Sequence, residues 1–408
     1  MVAILGYSRE QIFAAVKEMY TAVAETPGAD FHFPVGKPAC EFLGYSTKHT
    51  QHLPEAVLES FAGVGYPFHG DAIKPGDTTL DIGAGAGVDA LIAARIVGPG
   101  GHVIGLDLTP AMTGKLQQTA GEVGTDNLSV LQASAERLPL ATGSVDSITS
   151  NGALNLVPGK RRAVAEMFRV LRPGGRLQIA DVVIDRPVSV DCHTDPRLWV
   201  ECVVGATVDE DFLAMFRDAG FEDVRLVRTI DYFSHSPSRQ TREVAASFGA
   251  RSVEVTMCRG AEAPRRAVQW LRRMSPRRVA ASMWRRGVMG VAGLGMAILA
   301  CYGGMAALGL LAVLGMGLAF DETLWAGAIF LFAALTLGAV LPGMKYHGAY
   351  GPGLLGGAGV AVIGFVMFVQ YNMLIELLGF LLLAVAVWRD VRLRRREERR
   401  VLGLESQV

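Results

Sequence analysis

Three glycines alternate with small residues in Asp81-Ile82-Gly83-Ala84-Gly85-Ala86-Gly87, directly after Thr79 and Leu80 of a short strand-like run. A glycine-rich turn between a buried strand and a helix lets a ligand come close to backbone at the helix N-terminus. The dinucleotide pattern Gly-x-Gly-x-x-Gly is not met, because Val88 stands where its last glycine would fall and the third glycine comes one residue early at Gly87. Asp107 ends the apolar run His102–Leu106, 24 residues after Gly83. A carboxylate there can accept hydrogen bonds from both hydroxyls of a ribose; the same acid would also suit a helix cap before Thr109-Pro110. Ala135 and Glu136 follow a third apolar run, where the edge of a purine would lie, and Asn151-Gly152 follows a fourth, beside the reacting end of such a ligand. The chemistry implied is that of a nucleoside-like ligand held across several strand ends.

Those residues need a scaffold, and the chain supplies one. Strands are expected at Thr78–Ile82, His102–Asp107, Leu128–Gln132, Val145–Ser150 and Arg176–Asp181, with helices at Asp89–Val97, Pro110–Val123 and Arg161–Leu171 between them. Strand–helix alternation at this spacing predicts an α/β domain built on a doubly wound, mostly parallel sheet. A helix over Thr207–Ala219 and two strands, Val224–Thr229 and Val253–Cys258, add an antiparallel pair at its end. Before the sheet, residues 9–26 have Ile12, Val16, Met19 and Val23 on one helical face, and Leu53–Phe61 reads as a second helix. This preamble, residues 1–70, is expected to cap the ligand mouth.

Composition divides the chain again. With 39 basic and 39 acidic residues the net charge is zero, which gives no support to a nucleic-acid partner. From Val288 to Trp388 the sequence is almost continuously apolar, with acids at Asp321, Glu322 and Glu376. It divides into four candidate membrane spans, within Val291–Leu318, Leu324–Leu341, Leu354–Gln370 and Met373–Trp388, each near the length a bilayer core requires. Arginines crowd both flanks: Arg265 to Arg286 before the block, with Trp270 and Trp284 among them, and Arg389 to Arg400 after it. By the positive-inside rule both flanks face the cytoplasm. The expected organisation is a cap over 1–70, an α/β domain over 71–260, a basic juxtamembrane linker over 261–287, a four-span helical domain over 288–390 and a basic tail over 391–408. The expected location is an inner or cytoplasmic membrane with the α/β domain and both termini on the cytoplasmic side. Five cysteines, Cys40, Cys192, Cys202, Cys258 and Cys301, are odd in number and irregularly spaced, which fits a reducing compartment rather than a disulfide framework.

Asp-x-Gly-x-Gly-x-Gly, the later Asp107, Glu136-Arg137-Leu138-Pro139 and Arg169-Val170-Leu171-Arg172-Pro173-Gly174-Gly175 together resemble class I S-adenosylmethionine (SAM) methyltransferases over roughly residues 50–230. Within that superfamily, the runs Val103–Met112, Ser150–Leu156 and Trp199–Ala206 are similar to arsenite methyltransferases, and Gly63-Val64-Gly65-Tyr66-Pro67 looks like that family's Gly-Cys-Gly-Asn-Pro. The resemblance implies SAM as cofactor, held by Asp81, Gly83, Gly85, Gly87, Asp107, Leu108, Ala135, Glu136 and Asn151. It implies Asn151, Gly152 and Cys202 at the site of methyl transfer. Arsenite methyltransferases hold the metalloid with three cysteine thiolates; this chain keeps the Trp-x-x-Cys thiol as Cys202, but has Val64 and Gly152 at the other two positions. Cys202 is therefore the one family ligand available for a metal or metalloid, with Cys40 and Cys192 as candidate substitutes. The apolar block resembles the small four-span mercuric-ion transport proteins over 290–392, at Cys301–Gly309, Tyr346-His347-Gly348 and Val387–Asp390.

The expected function is a membrane-tethered SAM-dependent methyltransferase. Its acceptor is a metalloid or another soft group, such as a thiol or selenium compound, and its partner is the lipid bilayer. Two alternatives stand beside it: a methyltransferase for an organic or membrane-soluble small molecule, and a non-enzymatic transporter or sensor in which bound SAM is regulatory.

Overall fold

The computed structural model describes residues 8–188, 203–264, 266–285, 287–303 and 322–402. Two compact units divide the chain, Met1–Arg272 and Arg273–Val408.

The first unit opens on α1 (Arg9–Glu25), fixed at its start by a reciprocal cap: Ser8 Oγ accepts from Gln11 N, and the Gln11 side chain accepts from Ser8 N. Three short helices follow, α2 (Lys37–Leu43), α3 (Thr47–Thr50) and α4 (Glu55–Glu59). The last is shorter than the expected Leu53–Phe61, because Pro54 sets its start and Ser60 its end. The α/β core then runs β1 (Thr78–Ile82), α5 (Val88–Val97), β2 (His102–Asp107), α6 (Pro110–Glu122), β3 (Leu128–Gln132), β4 (Val145–Asn151), α7 (Lys160–Val170) and β5 (Leu171–Ile184). β5 begins earlier than Arg176 and extends through Pro173-Gly174-Gly175, with a register irregularity between Val145 and Ser147 on its neighbour. After it come β6 (Thr207–Val208), α8 (Asp209–Ala219), β7 (Phe221–Ile230), α9 (Arg239–Phe248) and β8 (Arg251–Arg259). Thr207 and Val208, expected in the helix, instead pair with Val183 and Ile184 of β5.

The sheet order is β3-β2-β1-β4-β5-β8-β7, with β6 also beside β5. β1 to β5 run parallel, β8 lies antiparallel between β5 and β7, and β7 forms the edge. This is the doubly wound, mostly parallel sheet expected from the sequence. Helices cover both faces. Leu80, Ile82, Ile148, Leu177 and Ile179 pack with Val164 and Met167 of α7 and Phe212 and Phe216 of α8, while Ala90, Ala93 and Val97 of α5 meet Val103 and Leu116 on the other side. Full burial of a large apolar side chain contributes about 1.5–3 kcal/mol, so these two clusters hold the strand ends in fixed relative positions. The order reverses between β1 and β4, the point at which open α/β sheets leave a crevice beyond their carboxyl ends.

The second unit is helical: α11 (Pro276–Arg285), α12 (Met289–Ile298) running into a π-helical turn at Leu299–Gly303, α13 (Glu322–His347), α14 (Gly351–Phe368) and α15 (Met373–Val401); α10 (Arg266–Arg273) closes the first unit. Small residues let the helices approach: a β-carbon at Gly359 would come 2.9 Å from the Gly379 carbonyl oxygen. Ala297, Cys301, Ile329, Ala333, Ile363, Phe380 and Leu383 form its core. Four spans were expected. Among the described residues two helices are long and apolar enough to cross a membrane, Thr323–His347 and Gly351–Phe368, with a third if Pro276–Trp284 and Met289–Gly303, bent by 113°, count as one. The difference has two causes. The expected first span runs into 304–321, outside the described residues. The expected fourth, Met373–Trp388, is the first part of the longer α15, which carries Glu376 in its first turn and runs on past Trp388 into the charged tail.

Candidate functional site

The crevice at the β1–β4 switch is a cleft of about 920 Å³, its open mouth included. Its floor is the turn from β1 into α5. Gly83, Gly85 and Gly87 all have positive φ, at 76°, 55° and 109°, a region that side-chain-bearing residues enter at a cost of about 1–2 kcal/mol. The turn is closed by its neighbours: Gly83 N and Ala84 N donate to the Leu106 carbonyl at 2.8 and 3.0 Å, and Gly87 N donates to Ala84 at 2.9 Å. At Gly87 a β-carbon would collide with the Leu116 side chain, whereas at Gly85 it would project into open space. Gly87 thus serves packing, and Gly85 keeps the cleft floor clear.

Asp107 stands at the end of β2 beside that turn. Its Oδ2 accepts from Gly85 N at 2.9 Å and its Oδ1 from Thr109 N at 2.8 Å. Burial pushes its carboxyl up, and the two backbone donors pull it partly back. Each oxygen has a further lone pair, so the group can still accept from a diol. Of the two sequence readings of Asp107, the cleft-lining one holds; its bond to Thr109 N ties down the approach to α6, whose first turn has no side-chain cap.

Of the residues expected to meet the cofactor, Gly83, Gly85, Gly87, Asp107, Leu108, Ala135 and Asn151 line this cleft, as does Gly152. Two are placed differently. Asp81 is 1% exposed behind the glycine turn, with no hydrogen-bond partner at Oδ2 among the described residues. Burial pushes its carboxyl well up, and Asp89 and Asp107 push it further. Glu136 turns its side chain away from the cleft: Oε1 accepts from Gly159 N at 2.9 Å, and the carboxylate pairs with Arg9 of α1. Its neighbour Ala135 supplies the cleft wall.

Asn151 is the hub of a hydrogen-bonded cluster in the cleft wall. Its Oδ1 accepts from Val64 N at 2.8 Å and Gly65 N at 3.2 Å, and its Nδ2 donates to the Gly65 carbonyl at 2.9 Å and to Asp89 Oδ2 at 3.0 Å. Tyr45 completes the group, its hydroxyl donating to Asp89 Oδ1 at 2.5 Å and lying 3.0 Å from Asn151 Nδ2. Burial raises the Asp89 carboxyl to about 6, against the pull of the Tyr45 and Asn151 hydrogen bonds. Burial and Asp89 hold the Tyr45 hydroxyl well above its usual range. Sequence reasoning missed Tyr45 and gave Asp89 no role beyond opening a helix. The available signal was that Asp89 is an acid in the first turn of an otherwise apolar helix.

The preamble does reach the cleft. Phe13, Val16 and Tyr20 of α1 and Ser60–Gly63 line it, and Lys115 of α6 ties the segments down by donating to the Ala24 carbonyl at 3.0 Å and Ser60 Oγ at 2.7 Å. At the acceptor end, a β-carbon on Gly152 would lie 3.3 Å from Val64 Cγ1. The two positions where the resembled family has cysteines are thus adjacent here and carry no sulfur. Cys40 is 1% exposed, and burial with the Asp89 charge pushes its thiol far up. Cys192 and Cys202 lie outside the described residues. No group of three or more His, Cys, Asp or Glu able to hold a metal occurs among the described residues.

Comparison with known proteins places this geometry. A family model described as a methyltransferase domain matches residues 73–220. The first unit holds a methyltransferase domain. A second model, described as MerC mercury resistance protein, matches residues 288–392, so the second unit is MerC-like. An arsenite methyltransferase of Halobacterium salinarum is 40% identical over 186 residues, covering 46% of this chain and 47% of that protein. The arsenite methyltransferase of Rattus norvegicus is 32% identical over 201 residues, covering 47% and 53%. The chain thus spans about half the length of these curated relatives. A ubiquinone/menaquinone biosynthesis C-methyltransferase of Brucella anthropi is 34% identical over 172 residues, covering 37% of this chain and 65% of that protein. Among solved structures, an arsenic(III) S-adenosylmethionine methyltransferase from Chlamydomonas reinhardtii is 31% identical, with 56% of this chain and 74% of that chain covered and a TM-score of 0.44.

The methyltransferase domain's residues fit SAM. Asp107 has lone pairs free for a ribose, Leu108 and Ala135 line the cleft where a flat ring would lie, and the buried Asp81 carboxyl stands behind the turn.

Proposed function

We infer that this chain is a membrane-tethered SAM-dependent methyltransferase. The observation that carries the reading is the cleft at the β1–β4 switch, where Gly85 leaves the floor open and Asp107 closes the end of β2. When bound there, SAM supplies an electrophilic methyl on a good leaving group. The protein's own task is then orientation and exclusion of water. Asp107 would hold the ribose and Leu108 and Ala135 the adenine, while Gly83, Gly85, Gly87 and Asp81 shape the methionine end. Glu136 acts through Arg9 and Gly159, fixing α1 and the wall behind Ala135. Asn151 and Gly152 stand beside the reacting end, with Asn151 holding the Gly63–Gly65 wall in place.

The arsenite methyltransferase relatives favour a metalloid acceptor, and the same soft chemistry extends the reading to a thiol or selenium compound, with Cys202 as the thiolate that meets it. A second reading has its own observation. Val64 lies beside Gly152, its Cγ1 3.3 Å from where a Gly152 β-carbon would stand, which makes that wall apolar and favours an organic or membrane-soluble acceptor. The MerC-like unit keeps the enzyme at the bilayer, and its arginine-rich flanks support a cytoplasmic methyltransferase domain. Methylation of arsenite, selenite, small thiols and a lipid extract by the purified chain separates the readings. Turnover of arsenite that Cys202→Ser abolishes supports the soft acceptor; turnover confined to the lipid extract supports the second. Absence of turnover on all four removes both.

A further inference from the structure

The cations of the helical unit gather at one end of it. Between Arg286 and Arg389 the sequence holds Lys345 and no other lysine or arginine. Lys345 and His347 close α13, α12 begins at Met289, and the apolar part of α15 ends at Trp388. These points meet in the fold. A β-carbon on Gly290 would lie 3.4 Å from Val387 Cγ2 and 3.8 Å from Val340 Cγ2, and His347 Nε2 lies 3.1 Å from Asp390 Oδ1. The starts of α13 and α15, at the other end, carry Glu322 and Glu376 and no lysine or arginine.

Two basic segments converge on the cationic end. Pro276–Trp284 of α11 is bent by 113° from Met289–Gly303, so α11 lies across the end of the bundle rather than along it. The bend passes through Gly287, whose φ of 67° suits glycine. A β-carbon there would come 3.3 Å from Arg394 Cδ, which brings the connection up against α15. At helical spacing Val279, Ala280, Met283 and Trp284 share one side of α11, while Arg277 and Arg278 begin the other. Val279 and Trp284 are exposed.

The second segment is the end of α15, where Arg389–Arg400 sets seven arginines against three acids. Arg394 is engaged within the fold, donating to Asp390 Oδ2 at 2.8 Å and to the Ala339 carbonyl at 3.3 Å, and Arg400 pairs with Glu397. Arg389, Arg392, Arg395 and Arg396 are exposed and pair with no acid among the described residues. Arg392 stands over the Trp388 ring, 5.1 Å from its centroid, and Trp388 is itself 58% exposed.

We propose that this end of the helical unit, formed by α11 and the Arg389–Arg396 part of α15, binds the phosphate headgroups of anionic phospholipids. Guanidinium forks match phosphate oxygens, and tryptophan rings favour the headgroup layer, where one edge is apolar and the other wet. A soluble polyanion such as a nucleic acid would neutralise the arginines but leave Trp388 and the apolar side of α11 in water. A lipid surface covers both, and it continues the apolar helices that adjoin the arginines. The proposal rests on the membrane tether inferred above.

The test reconstitutes the full chain into vesicles of equal parts phosphatidylcholine and phosphatidylglycerol, and into phosphatidylcholine alone. Flotation reports the tether, and electron paramagnetic resonance of spin-labelled phosphatidylglycerol and phosphatidylcholine reports which lipid the protein immobilises. Wild type is expected to float with both vesicles and to favour phosphatidylglycerol by at least about threefold at low salt. That preference should fall towards unity at about 1 M salt, where exposed charges are screened. Arg277→Gln combined with Arg392→Gln, Arg395→Gln and Arg396→Gln is expected to abolish it, and lysine at the same four positions to keep most of it. Equal immobilisation of the two lipids by wild type, or an undiminished preference in the glutamine variant, overturns the proposal and leaves the tether standing. A wild-type chain that floats with neither vesicle overturns the tether and the proposal with it.

Discussion

The Asn151 side-chain oxygen accepts a 2.8 Å hydrogen bond from the backbone N–H of Val64, 87 residues earlier in the chain. Through this contact the end of β4 holds the loop that walls the cleft. Asn151→Ala leaves the N–H groups of Val64 and Gly65 without that acceptor and Asp89 without one of its donors. Unsatisfied buried donors cost about 1–3 kcal/mol each. Thermal unfolding should therefore show a loss of a few kcal/mol, together with weaker cofactor binding; a variant as stable as wild type would mean the clamp is not formed.

Asp89 gives the domain a pH dependence. Its carboxyl titrates at about 6 in the fold against an ordinary 3.8, chiefly through burial. The folded state holds this proton more tightly than the unfolded chain. Stability from this group is therefore full below about pH 4 and lost as pH rises through about 6. Asp89→Asn removes the titration and should flatten the slope of stability over that interval, measured by denaturant unfolding. An unchanged slope would place the titration elsewhere.

Gly85 and Gly87 should separate under substitution. Both have positive φ, so each alanine variant carries about 1–2 kcal/mol of backbone strain. Gly87→Ala also drives a methyl into Leu116, while Gly85→Ala meets nothing in the protein and projects into the cleft. Gly87→Ala is expected to lower the melting temperature markedly. Gly85→Ala is expected to lower it little and to weaken the cofactor strongly. The reverse order in paired melting and binding measurements would contradict the assignment of the cleft floor.

The missing thiols can be restored. Val64→Cys faces Gly152 at close range, and with Gly152→Cys it would place two sulfurs side by side, at the cost of strain at φ 74°. The double variant is expected to bind arsenite more tightly than wild type, read by competition with a thiol-reactive arsenical. No gain would show that the wall is remodelled around Val64 rather than merely lacking sulfur.

The sheet was legible in the sequence because each buried parallel strand is an apolar run bounded by turn residues, and the glycine spacing together with Asp107 marked the ligand's place. Glu136 and Asn151 were legible as positions but not as roles. The partners that claim their side chains, Arg9, Gly159, Val64 and Gly65, are distant in the chain, and periodicity carries no record of such contacts. Tyr45 escaped for the same reason: only folding brings it to Asp89. The pairing of Cys301 with Glu376, 75 residues apart, is likewise a product of helix packing. Apolar composition marked the helical unit that the MerC model covers, but it did not show that the expected fourth stretch, Met373–Trp388, continues without a break into the arginine-rich tail as one helix.

The central claim is that the cleft above Gly85 and Asp107 takes SAM. Isothermal titration of the full chain in nanodiscs measures this directly. The account predicts saturable binding of one SAM per chain, weakened at least about tenfold in Asp107→Ala, as expected when a buried charged acceptor worth about 1.5–3 kcal/mol is removed. A folded chain that binds no SAM, or one whose affinity is the same in Asp107→Ala, would contradict it.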